Sequence, residues 1–128
     1  MSVAAWESLH KAALELAKSS GLKQRLTDAW SRHLEDLSSS DMPGELREDF
    51  DALRLALTRV RPQRGETAVA ATVRKMSMGE ADACAARIVA LLDALHRNMA
   101  VASAKAAGRA SADTATMRIP TLISVNRA

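Results

Sequence analysis

The sequence predicts an all-α protein: a small bundle of four to five amphipathic helices with a flexible C-terminal tail. Three observations predict it. Alanine, the best intrinsic helix former, occurs 26 times in 128 residues. Aromatic residues, which strands favour, are only Trp6, Trp30 and Phe50. Five Gly and three Pro are too few for the many turns of an all-β fold. The hydrophobic and charged fractions, 48% and 26%, are those of an ordinary globular chain. The length suits one domain, placed at residues 1–107, with 108–128 as a flexible tail or docking peptide.

The first helix is expected from about Val3 to Lys18, with Ser2 as its N-cap. Trp6, Leu9, Ala13, Leu16 and Ala17 form one stripe at a 3.6-residue period, with Glu7, Lys11, Glu15 and Lys18 largely off it. Ser19-Ser20-Gly21 ends the helix, Gly21 being suited to a C-terminal cap. The second helix is expected from about Leu22 to Leu37, its broad apolar face made of Leu22, Leu26, Ala29, Trp30, Leu34 and Leu37. Ser38 to Gly44 is a break, with Ser40 or Asp41 as a cap for the third helix. That helix is expected from Glu45 to Val60, on a narrow stripe of Leu46, Phe50, Leu53 and Leu57.

Arg61-Pro62-Gln63-Arg64-Gly65 reads as a connecting loop. A short fourth helix follows from about Thr67 to Met76; its small and β-branched residues also fit a strand. Ser77-Met78-Gly79-Glu80 matches the S-x-x-E capping box, in which the two side chains satisfy each other's exposed amides. The fifth helix starts there. Its stripe is Ala81, Cys84, Ala85, Ile88, Leu91, Leu92, Leu95 and Met99, continued by Ala102 and Ala106 until Gly108. It is longer than the others, so its end is expected to project. Beyond Gly108 the chain reads as linker, ending in the apolar cluster Ile119 to Val125. The expected core is Trp6, Leu9, Leu26, Trp30, Leu34, Phe50, Leu53, Leu57, Ile88, Leu91 and Leu95.

Charge is segregated along the chain. Residues 1–52 sum to −4, residues 53–75 to +5, residues 76–99 to −1 and residues 100–128 to +3, giving the net +3. Much of the switch has a local cause. Glu45, Glu48, Asp49 and Asp51 crowd the start of the third helix, and Arg54, Arg59 and Arg61 lie toward its end, as the helix dipole favours. The sharper reading is a surface for an anionic or protein partner, made by Arg59, Arg61, Arg64, Arg74 and Lys75.

Catalytic chemistry finds little support. Glu7-x-x-His10 and Asp93-x-x-His96 have the spacing used in di-iron bundles. The stripes, however, place these residues at or beyond the edges of the inward faces, and no stripe supplies buried carboxylate partners. No metal and no cofactor is therefore expected. His33, within the apolar arc of the second helix, is expected to be an edge or core residue with a satisfied hydrogen bond. Cys84, on a core stripe, is expected to be an inert thiol. One Cys excludes an internal disulfide. No phosphate-binding glycine loop, nucleophile elbow or zinc-protease motif is present.

No apolar run approaches a membrane span and the N-terminus lacks a leader pattern, so a cytoplasmic chain is expected. The expected function is a non-enzymatic helical protein–protein interaction, adaptor or regulatory protein, its partner being another protein or a second copy of itself. The alternative is a nucleic-acid-associated protein. In that reading the Arg59–Arg64 loop and the basic tail contact the phosphate backbone without reading sequence.

Overall fold

The computed structural model describes residues 3–111, and side-chain surroundings for 3–107. It is all-α, with five α-helices and no strand among the described residues. The chain divides into two units, residues 1–96 and 97–128. Residues 112–128 of the expected flexible tail, with the Ile119–Val125 cluster, and the Ser2 cap lie outside the described residues.

α1 is Val3–Leu16, and it buries Ala5, Leu9, Ala12, Glu15 and Leu16. The inward face is therefore rotated from the expected one. Trp6 is only half-buried and Ala13 lies at the margin. Ala5 and Ala12 flank Leu9 on one buried stripe. Trp6 instead stacks at the edge on His10, ring centroids 4.9 Å apart. Gly21 does not cap α1. The Arg25 guanidinium does, donating from Nη1 to the Leu16 carbonyl at 2.6 Å, where the helix dipole favours positive charge. Gly21 instead precedes α2 in an extended conformation.

The second helix is not uniform. α2 is Leu22–Ala29, and Trp30–Leu34 continues it as a π-helical turn. The Glu35 amide donates to the Trp30 carbonyl, five residues back, at 2.9 Å. Trp30 and Leu34 are buried in the turn. Ser39–Asp41 is a short 3₁₀ turn with its own capping box between Ser38 and Asp41. These residues thus serve the turn and not the next helix. α3, Gly44–Thr58, follows Pro43 and has no side-chain cap. Its buried stripe, Leu46, Phe50, Leu53 and Leu57, is the expected one.

The connecting loop turns at Gln63–Glu66, where the Glu66 amide donates to the Gln63 carbonyl at 3.0 Å. Gly65 takes φ 78° there, a conformation that a Cβ would strain. α4, Ala68–Lys75, is a helix and not a strand, with Thr67 as N-cap accepting from the Ala70 amide at 3.2 Å. Thr72 is buried with both roles of its hydroxyl used, accepting from the Val60 amide and donating to the Ala68 carbonyl.

α5, Met78–Ser111, opens on the expected capping box. The Ser77 amide donates to Glu80 Oε1 at 2.9 Å, and the Glu80 amide to Ser77 Oγ at 3.0 Å. The helix does not stop at Gly108. Ala106, Ala107 and Ala110 favour helix enough to outweigh the roughly 1 kcal/mol that one interior glycine costs.

In the first unit the core is Leu9, Leu26, Trp30, Leu34, Met42, Phe50, Leu53, Leu57, Ile88 and Leu95, with Leu91, Val69 and Val73 around it. Ten of the eleven expected core residues are buried, Trp6 being the exception. Met42, read as part of a loop, is fully buried. In the second unit, none of the side chains from Arg97 to Ala107 is buried.

Candidate docking surface

Three sets of side chains could carry chemistry or binding, the first being the basic residues singled out from the sequence. Arg74 forms a two-pronged pair with Glu66, Nε to Oε2 at 2.9 Å and Nη2 to Oε1 at 3.1 Å. The Arg74 guanidinium holds the Glu66 carboxyl below its ordinary range, and Glu66 raises Arg74 in turn. Arg59 faces Glu80 at 3.9 Å, both half-exposed. Arg61, Arg64 and Lys75 are exposed and make no hydrogen bond or ion pair within the described residues. Two of the five basic residues are thus engaged with carboxylates, which the charge blocks alone did not reveal.

The second set surrounds Glu15, a carboxylate only 6% exposed. Glu15 Oε1 accepts from Lys18 Nζ at 3.1 Å and lies 3.3 Å from His33 Nε2 and 3.5 Å from Arg32 Nη1. The hydrogen bonds of Lys18 and His33 hold its carboxyl below the ordinary range, against the opposing effect of burial. His33 has in Glu15 the hydrogen-bond partner expected of a histidine on an apolar arc. A shallow cleft of about 330 Å³ beside it is lined by Ser8, Lys11, Arg32, His33, Asp36 and Leu37. Its lining sets two cations, Lys11 and Arg32, against one carboxylate, Asp36. Periodicity places Glu15 off the inward stripe. Lys18 is a local partner, but Arg32 and His33 come from the π-helical turn, and no local pattern reports them.

The third set lies on α3 and α5. A cleft of about 470 Å³ is lined by Ala52, Leu55 and Ala56 from α3, by Met76, and by Ala83, Cys84, Arg59, Glu80 and Arg87. Leu55 is 68% exposed, an unusual position for a leucine beside so many small apolar side chains. Val89, also on α5, is half-exposed. Inward-facing stripes reveal this surface only in part: Cys84 belongs to one of them, while Ala52, Leu55 and Ala83 stand exposed beside them. Its signal in the sequence is Ala52, Leu55 and Ala83, apolar residues that belong to neither core stripe.

Burial raises the Cys84 thiol, with Glu80 adding to the rise and Arg87 opposing it. The thiolate, which is the nucleophilic form, is disfavoured at neutral pH. Glu7, His10, Asp93 and His96 are all exposed. Among the described residues no group of three His, Cys, Asp or Glu side chains is placed to hold a metal ion. Among them, too, no helix is long and apolar enough to cross a membrane. No family model, curated protein or solved structure matches the chain.

Proposed function

We propose that this chain is a non-enzymatic helical interaction protein, an adaptor or regulatory subunit that works by docking. The observation that carries the reading is the apolar cleft of α3 and α5, with Leu55 standing 68% exposed among alanines. Exposed apolar surface rimmed by charge is the usual mark of a protein-binding face. A photo-reactive side chain at position 55 tests it, with position 7 on α1 as control. The reading expects protein adducts from position 55, not from position 7, that persist in nuclease-treated lysate and vanish in Ala83→Arg. Equal labelling from both positions would sink it.

A second reading, backbone contact with nucleic acid, is favoured by the exposure of Arg61, Arg64 and Lys75 without an ion pair among the described residues. Exposed guanidinium groups suit phosphate. Retention of the wild-type chain on arbitrary duplex at physiological salt, lost when Arg61 and Arg64 are neutralised, would support it over the first.

A further inference from the structure

Resting on the interaction reading, we infer that the occupant of the α3–α5 face is a second copy of this chain, docked antiparallel across a two-fold axis. The argument is charge and shape complementarity of the face with itself. Glu48, Ala52, Leu55 and Arg59 are spaced four, three and four residues apart, so they form one stripe along α3. The first three lie within the helix and Arg59 at its C-terminal cap, and all four are exposed. The stripe reads acid, small, large, base. Laid antiparallel against a copy of itself, it sets Glu48 opposite Arg59 and Leu55 opposite Ala52, twice over. An isologous contact requires this reciprocity.

The α5 side of the cleft has the same property. Its lining residues run Glu80, Ala83, Cys84, Arg87. Arg59 meets Glu80 at one end of the cleft, while Ala52 lies two turns back from Arg59 and Arg87 two turns on from Glu80. With α3 and α5 antiparallel, Ala52 and Arg87 meet at the other end of the same cleft. One two-fold axis across both helices therefore also sets Glu80 opposite Arg87. Glu80 uses Oε1 in the capping box, and its Oε2 sits at the long distance of 3.9 Å from Arg59. Arg87 has no ion pair within the described residues. Leu55 is the knob, and Ala52, Ala56 and Ala83 are the hollow that receives it. The acid-then-base pattern of α3, which the helix dipole accounts for only in part, is then also the code that sets the register.

Sedimentation of the full chain at concentrations up to about 1 mM tests this, a range that reaches weak association. The wild type is expected at twice its 13.7 kDa mass. Glu48→Lys and Arg59→Glu should each weaken self-association at least about tenfold, because each places like charges opposite one another twice. Mixing the two variants should restore dimers, since every facing pair is then opposite in sign. Leu55→Asp should sediment as monomer. All three positions are exposed, and circular dichroism of each variant should match the wild type. A monomeric wild type overturns the inference. So does a dimer indifferent to these changes, or two weakened variants that fail to complement. A monomer that still gives adducts to another protein from position 55 overturns the second copy as occupant while leaving the interaction reading standing.

Discussion

His33 on the π-helical turn lies 3.3 Å from the buried carboxylate of Glu15 on α1, eighteen residues away in sequence. The contact ties the irregular turn to the first helix, and Lys18 and Arg32 bring positive charge to the same carboxylate. A carboxylate so enclosed has its charged form favoured in the folded state.

The first prediction concerns acid. Glu15, Glu66 and Glu80 all titrate below their ordinary value of 4.5 when folded. A carboxyl depressed by folding contributes stability that is present above its unfolded pKa and lost as pH falls through the folded one. Urea midpoints should therefore hold from neutral pH down to about 4.5 and fall below it. Glu15→Gln should lower the neutral midpoint and flatten the acid limb. An acid limb unchanged in Glu15→Gln would show that the pair contributes nothing to it.

The core prediction contrasts neighbours on one helix. Leu53 is fully buried and Leu55 is 68% exposed. Leu53→Ala should cost about 2–5 kcal/mol by removing buried methyl groups and leaving a cavity, and Leu91→Ala the same. Leu55→Ala should stay within about 0.5 kcal/mol, as exposed changes usually do. Chemical denaturation of the three variants checks the contrast at a concentration low enough to keep the chain monomeric.

Arg54 lies 5.1 Å over the ring centroid of Trp30 and 5.3 Å over that of Phe50. It also donates to the carbonyls of Glu35 and Leu37, where the second helical segment ends. Arg54→Ala should cost about 1–3 kcal/mol from the ring contacts and charged hydrogen bonds together. Arg54→Lys should recover little of it, because an ammonium cannot stack and fork as a guanidinium does. Full recovery in the lysine variant would reduce the role of Arg54 to charge alone.

Ser77 opens α5 by accepting the Glu80 amide. Ser77→Ala should cost about 0.5–2 kcal/mol, as loss of an N-cap does. Amide exchange should rise first at residues 78–81. Protection unchanged there would mean that packing alone holds the helix start.

Neutralising Arg59, Arg61 and Arg64 together should change stability by roughly a few tenths of a kcal/mol per residue, since all three are exposed. If they hold phosphate, the same change should flatten the salt dependence of duplex binding by about one unit per lost contact. No aromatic residue lies near them in sequence to stack on bases. The expected result is the small stability change with no measurable duplex affinity to lose.

The sequence by itself determined the class of the fold, the order of its helices and most of the core. Those features rest on local causes: alanine content, the 3.6-residue period of Leu46, Phe50, Leu53 and Leu57, and the Ser77–Glu80 box. Each is complete within a few turns, so a single segment reports it. The tertiary structure alone decided which way α1 faces, where the second helix opens into a π-helical turn, and that Met42 and Glu15 are buried. It also decided that Arg25 and not Gly21 ends α1, and that Pro43 and not a polar cap precedes α3. The reason is common to all of them. Periodicity gives a helix an apolar side, but the packing of neighbouring elements fixes its rotation. The charge of Glu15 is compensated by one local partner, Lys18, and by Arg32 and His33, which only the fold brings from a distant segment.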